Sequence, residues 1–133
     1  MHDMTGVILA GGRAGRLGGI NKAFIEIDGE RLIDRTLRVY RALFREIIIS
    51  TNAPLEYLEF DARIVTDIHR EKGPLGGIHA GLLHATGERA FVSACDMPHL
   101  SEAFIRHMMA LAEGHDLVVP VTDDGYESLH AIY

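Results

Sequence analysis

The feature that most constrains the fold is a short apolar run that passes directly into a glycine-rich, basic loop. Thr5 to Ala10 is typical of a buried strand. The loop after it, Gly11 to Asn21, holds five glycines and two arginines, and Lys22 follows at once. Because glycine has no Cβ, such a loop lets backbone N–H groups approach a phosphate closely, and the cations add attraction. The stretch therefore predicts a polyphosphate site.

The spacing of this loop excludes two common phosphate-binding signatures. It is neither the G-x-x-x-x-G-K-[ST] of P-loop proteins nor the G-x-G-x-x-G of dinucleotide-binding proteins. On composition alone a second interpretation stays open, in which the loop is a flexible surface segment whose basic residues are only solvated.

Strand-like and helix-like segments alternate along the rest of the chain. A brief alternation over 24–27 ends at the turn signal Asp28-Gly29. The pattern predicts an α/β fold with a mainly parallel sheet and helices on both of its faces. Further strands are expected at 46–51, 63–66, 89–95, 116–120 and 128–133, a loop at 68–75, and helices at 31–44, 76–85 and 101–112, the last capped by Ser101.

Helical spacing also predicts which residues face the core. The arginines on the opposite face of the first helix are interpreted as a solvated surface rather than a phosphate site. The glycines that begin the second helix indicate close approach by a ligand or another backbone. The inward residues are expected to be Leu32, Ile33, Thr36, Leu37, Tyr40, Leu43 and Phe44 in the first helix, Ile78, Leu82 and Leu83 in the second, and Phe104, Ile105, Met108, Met109 and Ala112 in the third.

Polar residues follow several strands at their expected carboxyl ends. They are Asn52, Asp67 and Asp96. Ligands of parallel α/β sheets bind at that edge, so these residues are expected to converge there with the glycine-rich loop. Each also has a plain structural interpretation, because Asp and Asn after strands are common turn residues.

Composition narrows the classes of protein further. A chain of 133 residues, 47% of them hydrophobic, fits one domain with a real core. The net charge of −6 argues against a nucleic-acid surface, and no apolar run reaches membrane-spanning length. No signal peptide is visible. The single cysteine, Cys95, is interpreted as a small buried hydrophobe of a cytoplasmic protein, and the histidines show no zinc pattern.

Several ordered motifs together resemble the molybdenum cofactor guanylyltransferase (MobA) family. They are LAGGRAGRLGGINK at 9–22, TD at 66–67 with GPLGG at 73–77, CDMP at 95–98 and ESLHAIY at 127–133. The resemblance covers the whole chain. It implies a Rossmann-like three-layer α/β/α nucleotidyltransferase fold with a mainly parallel sheet. It also implies one domain over 1–133 that lacks the family's C-terminal portion.

The activity implied by this resemblance is transfer of GMP from GTP to the molybdopterin form of the molybdenum cofactor, with release of pyrophosphate. Mg²⁺ is the implied cofactor. GTP and the molybdopterin cofactor are the implied partners, with molybdoenzyme assembly proteins as further candidates, and no nucleic acid or membrane partner is expected.

The resemblance also carries roles to individual residues. Lys22 would lie against the α-phosphate, Arg16 would pair with the departing pyrophosphate, and Asp96 would hold Mg²⁺; these three form the catalytic set. Asn52, the turn at Gly76 and nearby backbone would form the guanine pocket, and His130 falls near the acceptor. The nucleotide-binding set is Leu9, Ala10, Gly11, Gly12, Arg13, Lys22, Asn52, Asp67, Gly76 and Asp96.

Two other interpretations stay open. One is a cytidylyltransferase or a sugar-phosphate nucleotidyltransferase of the same superfamily. The Gly11-Gly12 pair is the only sequence feature that favours GTP over the nucleotides of these enzymes. The other is a non-catalytic nucleotide-binding domain, against which the intact Lys22 and Asp96 argue.

Overall fold

The computed structural model describes residues 4–10, 16–17, 20–66, 73–95, 97, 100–127 and 129–133. Two 3₁₀ helices, Lys22–Phe24 and Pro54–Tyr57, accompany the main elements. The main elements are β1 (Met4–Leu9), β2 (Arg16–Leu17), β3 (Ile20–Asn21), β4 (Glu26–Ile27), β5 (Glu30–Arg31), α1 (Leu32–Leu43), β6 (Glu46–Ser50), β7 (Arg63–Val65), α2 (Gly73–His84), β8 (Arg89–Ala94), α3 (Glu102–Leu111), β9 (Val121–Thr122), β10 (Gly125–Tyr126) and β11 (His130–Ile132).

The main sheet has the strand order β11-β8-β1-β6-β7, with β1 at its centre. Strands β8, β1, β6 and β7 run parallel, and β11 runs antiparallel to β8. Val7, Ile8, Ile48 and Ile49 are fully buried, as expected for central parallel strands that are covered on both faces. The prediction of a mainly parallel sheet is confirmed.

Helices cover both faces of this sheet, which makes the fold a three-layer α/β/α arrangement. The side chain of Ile8 packs in a large core with α1 and α3, whereas the adjacent Val7 packs in a smaller core under α2. Every residue predicted to face inward from α1 is buried. Ser101 caps α3 as predicted, because its hydroxyl accepts a hydrogen bond from the Phe104 N–H at 3.2 Å.

Helix α2 departs from the prediction in both its start and its buried face. It begins at Gly73, so Gly73 to Leu75 are helical rather than loop, and Gly76-Gly77 is not a turn. Ile78 is buried as predicted, but Leu82 and Leu83 are 38% and 58% exposed. The reason is that the helix meets the sheet through its glycines, which turns the leucines away from the core.

Three smaller predictions also change. The segment 116–120 forms one isolated bridge, Val118 to Ile132, instead of a strand. Phe104 of α3 is 44% exposed rather than buried. Part of the predicted loop 11–21 is the short β2–β3 hairpin. The turn at Asp28 is confirmed, with φ angles of 55° there and 80° at the next glycine.

Candidate functional site

The carboxyl ends of the parallel strands lie side by side, as the sequence predicted. Leu9 pairs in register with Ser50 on one side and Ala94 on the other. The ladder continues past the strands, since the Ala10 N–H donates to the Ser50 carbonyl at 2.9 Å and the Cys95 N–H donates to the Leu9 carbonyl at 3.0 Å. Strands β6, β1 and β8 therefore stay hydrogen-bonded to one another up to this edge.

These ladder bonds bear on the predicted guanine pocket. The Ala10 N–H and one lone pair of the Leu9 carbonyl serve the sheet. A carbonyl oxygen has two lone pairs, so Leu9 keeps capacity to accept a second hydrogen bond. The predicted backbone contacts to the base therefore stay a prediction. The Ala10 N–H is not available for them, because it already donates within the sheet.

Asn52 lies exposed just beyond β6. The preceding residue, Thr51, is buried, and its hydroxyl accepts a hydrogen bond from the Ala53 N–H at 3.0 Å. This local turn ends the strand and directs the chain outward at Asn52. The position suits a side chain that recognises a base edge.

The first turn of α2 rests on the same edge. Gly76 is buried, and the Ser50 hydroxyl donates to the Gly77 carbonyl at 3.0 Å. A Cβ at Gly77 would lie 3.1 Å from a methyl carbon of Leu9, so the helix and β1 are in close contact there. The glycines therefore do mark a close approach at Gly77, but its partner is a side chain of the sheet and not the other backbone that was predicted; the alternative of a ligand stays a prediction.

Lys22 begins the 3₁₀ helix Lys22–Phe24 and is partly exposed between two buried neighbours, Asn21 and Ala23. Asn21 caps this helix, because its Oδ1 accepts from the Ala23 N–H at 3.0 Å. Its Nδ2 donates to the Tyr57 hydroxyl at 2.8 Å. In the part of the chain that the structure describes, no carboxylate forms an ion pair with Lys22. Lys22 is thus a cation on a fixed backbone.

An aromatic cluster packs against the segment that contains Lys22. The rings of Phe24, Tyr57 and Phe60 lie 5.6–6.2 Å apart. The Arg31 guanidinium lies 5.4 Å from the Phe24 ring and 5.3 Å from the Phe60 ring, and it pairs with Asp34 at 2.6 Å. The hydrogen bonds that the guanidinium donates to Asp34 and then to Glu59 raise its pKa further above the usual value of an arginine.

Strands β2 and β3 bring a second predicted cation into the same neighbourhood. In this hairpin Arg16 pairs with Asn21, directly before Lys22. The backbone of Arg16 is described, whereas five other predicted site residues lie outside the described residues: Gly11, Gly12, Arg13, Asp67 and Asp96. Asp67 and Asp96 directly follow Thr66 and Cys95 at the sheet edge, and their roles stay predictions.

Two arginines on the outer face of α1 share a structural partner. Arg35 and Arg38 both pair with Glu30, at 3.4 and 2.9 Å. A hydrogen bond from Arg38, together with the charges of both guanidinium groups, holds the pKa of Glu30 below its usual value even though desolvation opposes the shift. These contacts support the interpretation of a solvated face.

His130 is buried rather than open to an acceptor. Its ring stands at 89° to that of Phe91, with 5.1 Å between centroids, and lies 5.6 Å from the ring of Phe104. Desolvation lowers the pKa of His130, against a smaller raising effect of its own backbone and of Glu127. Burial therefore favours the neutral form of this imidazole.

Asn21 and Tyr57 were absent from the predicted site. The sequence signal for Asn21 is its position immediately before Lys22. Tyr57 has no such signal, because it lies 36 residues away in a segment without periodicity.

Among the described residues no group of three His, Cys, Asp or Glu side chains could hold a metal ion, and no helix there is long and apolar enough to cross a bilayer.

Comparison with known proteins shows which family the whole chain resembles. A family model, the MobA-like NTP transferase domain, matches residues 6–133. The chain is 45% identical to a molybdenum cofactor guanylyltransferase of Desulfosudis oleivorans, over all of this chain and 66% of that protein. It is 43% identical to a protein of Peptoclostridium acidaminophilum named a probable molybdenum cofactor guanylyltransferase, over 97% of this chain and 61% of that one.

A solved structure is similar over the whole fold. It is molybdopterin-guanine dinucleotide biosynthesis protein A of Archaeoglobus fulgidus, at a TM-score of 0.77 and 29% identity, over 97% of this chain and 66% of that one. The chain thus spans about two thirds, or slightly less, of the length of these relatives.

Proposed function

The chain belongs to the MobA-like NTP transferase family, and on that premise we propose that it transfers GMP from GTP to the molybdopterin form of the molybdenum cofactor. The names of its relatives support this substrate pair. The family name indicates nucleotidyl transfer. The proposal adds the two substrates, GTP as the donor and the molybdopterin cofactor as the acceptor.

The observation that carries the proposal is the placement of Lys22. It is a partly exposed cation directly after the glycine-rich loop. Its backbone is tied through Asn21 to the segment that leaves β6 at the carboxyl edge. A polyphosphate on that edge would meet this cation, and fixed cations are what transfer between two anions requires.

In the proposed reaction a terminal phosphate oxygen of the acceptor attacks the α-phosphorus of GTP. The new P–O bond forms as the bond to the β-phosphate oxygen breaks, and pyrophosphate leaves with that electron pair. The attacking oxygen is already anionic, so positioning and charge neutralisation outweigh general-base catalysis. Lys22 would neutralise charge on the α-phosphate, and Arg16 would neutralise the leaving pyrophosphate.

The guanine side of the site is proposed around Asn52, with the backbone of Leu9 and Gly76 beside it. Asn52 is exposed at the end of β6, and an amide offers both a donor and an acceptor to a purine edge. Gly76 is buried in α2 next to this edge, so its backbone would be its contribution to the base site.

Mg²⁺ is part of the proposal, with Asp96 as the candidate ligand and Asp67 near the metal and the nucleotide. Both follow residues of the carboxyl edge, and carboxylate and phosphate oxygens are the donors that this ion prefers. Bound there, the ion would neutralise charge on the transferred phosphoryl group. A cytoplasmic location and contact with molybdoenzyme assembly proteins also stay predictions.

Calorimetric titration of the chain with GTP, CTP and ATP, each with and without Mg²⁺, tests the proposal. We expect a preference for GTP that strengthens with Mg²⁺. A preference for CTP would replace GTP transfer with the cytidylyltransferase alternative. Binding of none of the three would overturn the proposal for this chain.

Substitution of Lys22 tests its assigned role. Lys22→Ala should lower transfer about a hundredfold or more, the typical cost of removing one group that stabilises the transition state. Arg38→Ala removes a cation from the outer face of α1 and is the matched control, with unchanged transfer. Full activity of Lys22→Ala would remove this lysine from the mechanism.

A further inference from the structure

One buried hydrogen bond joins the two sides of the proposed nucleotide site. The Asn21 amide lies directly before Lys22, on the phosphate side. The Tyr57 hydroxyl, its acceptor at 2.8 Å, ends the 3₁₀ helix that follows Asn52 on the base side. Both residues are buried, Tyr57 completely.

From this contact we infer that Tyr57 is a positioning residue that holds Lys22 in place through Asn21. The inference rests on the proposed function, because Lys22 matters only if a nucleotide binds beside it. Tyr57 itself is buried and would touch neither substrate.

The orientation of the Asn21 amide is dictated by its two partners. The Ala23 N–H can only donate, so the amide atom that it meets at 3.0 Å is the oxygen. The amide nitrogen then faces Tyr57, whose hydroxyl oxygen accepts. With both ends engaged, rotation of the amide would leave buried polar groups unpaired, which is costly.

This arrangement fixes the backbone on both sides of Lys22. Asn21 and Ala23 are buried and joined to each other across the lysine, while the lysine side chain is partly exposed. Phe24, the residue after Ala23, is held by stacking of its ring on that of Tyr57, with 5.6 Å between the ring centroids. A small displacement of a charged group removes much of its effect on a phosphate. The hydroxyl of Tyr57 therefore acts on the site indirectly, by keeping the backbone of Lys22 in position.

The chain offers a matched control for testing this. Tyr40 is a second completely buried tyrosine; its hydroxyl donates to the Val7 carbonyl at 2.9 Å and lies 2.7 Å from the Ser93 hydroxyl. Its ring packs edge-on against that of Phe91 in β8. Tyr57→Phe and Tyr40→Phe each remove one buried hydroxyl and keep the ring, so a merely structural role predicts similar consequences for both.

The first measurement is hydrogen exchange of the Ala23 amide in the free chain, followed by two-dimensional NMR. We expect Tyr57→Phe to speed this exchange severalfold, because the Asn21 amide that accepts this hydrogen loses its second partner. Tyr40→Phe should leave it at the rate of the parent chain. Unchanged exchange in Tyr57→Phe would overturn the inference whether or not the chain binds GTP.

The second measurement is a double-mutant cycle on GTP affinity with Mg²⁺. Tyr57→Phe should weaken GTP binding about tenfold, the scale of one hydrogen bond to a charged group. The same substitution should have little effect in a Lys22→Ala background, because it acts through the lysine. An equal loss in both backgrounds, or an equal loss from Tyr40→Phe, would contradict the inference.

The two measurements separate this inference from the proposed function. If the parent chain binds no nucleotide, the proposed function fails, and the Ala23 amide still decides whether Tyr57 holds the lysine segment. If the chain binds GTP and Tyr57→Phe behaves as Tyr40→Phe does, the proposed function stands and the positioning role is wrong.

Discussion

Helices α1 and α2 are both twelve residues long and pack on opposite faces of one sheet by opposite means. Helix α1 uses large side chains, of which Ile33, Leu37 and Tyr40 are completely buried. Helix α2 buries fewer side chains and also uses their absence: a Cβ at Gly81 would lie only 2.5 Å from a methyl carbon of Val7. Large side chains hold the first helix on the sheet, whereas a few smaller side chains and close approach at the glycines hold the second.

The difference shows what glycine contributes in a helix. Each glycine costs about 1 kcal/mol of helix propensity relative to alanine. At Gly77 and Gly81 the cost is offset because the backbone of α2 comes into contact with Leu9 and Val7. This brings the first turn of α2 down onto the carboxyl edge, next to the proposed base pocket.

The largest expected effect separates the leucines of the two helices. Leu37→Ala in α1 should lower the free energy of unfolding by about 3 kcal/mol, because it empties a completely buried site. Leu83→Ala in α2, at 58% exposure, should change it by less than about 0.5 kcal/mol. Urea denaturation of both variants measures this, and equal losses would mean that α2 also packs through its leucines.

A second prediction addresses the close contact itself. Gly81→Ala should lower the free energy of unfolding by about 1 kcal/mol net, since crowding against Val7 outweighs the gain in helix propensity. In a Val7→Ala background the crowded methyl is gone, and Gly81→Ala should become neutral or stabilising. Stabilisation of the parent chain by Gly81→Ala would show that α2 has room to spare.

The pH dependence of stability should arise on the α1 and α3 side of the sheet, at His130. Burial lowers its folded pKa, whereas the unfolded value is about 6.5. Below about pH 6.5 the unfolded chain takes up a proton first, so the contribution is complete above that pH and is lost as the pH falls toward the folded pKa.

Urea denaturation between pH 7.5 and 5.5 measures this loss. His130→Gln should flatten the decrease in stability, whatever its effect at pH 7.5. The pKa of Glu46 does not interfere: desolvation raises it, but hydrogen bonds from Thr86 and Thr5 outweigh this and lower it, so Glu46 titrates below this window. The same slope in both proteins would exclude His130 as its source.

The smallest effect is expected on the outer face of α1. Arg38→Ala removes an exposed ion pair with Glu30, and such pairs contribute little. Neither the melting temperature nor the affinity for GTP should change measurably. A clear loss of GTP affinity would revive the interpretation of this face as a phosphate site.

The same contrast explains which parts of the fold could be predicted. Helix α1 follows from the sequence because its apolar residues recur at helical spacing and its arginines fill the other face. The face of α2 was mispredicted because the pattern assigns leucines to the core. Only packing against Val7 and Leu9 shows that the glycines are inward, since a residue without a side chain gives no periodic signal.

The candidate site divides in a similar way. The motif around Lys22 and the polar residues after the strands predict a nucleotide site at the carboxyl edge, and of these polar residues the structure describes Asn52, which is exposed there. The bond between Asn21 and Tyr57 could not be predicted, because nothing local marks two residues that meet across 36 positions.

The sequence by itself determined the family, the alternation of strands and helices, and the mainly parallel sheet, because these depend on local order and spacing. Tertiary structure decided which face of α2 is buried, which tyrosine supports Lys22, and that His130 is enclosed. Those outcomes depend on contacts between distant segments, where the close fit of one surface against another sets the energy.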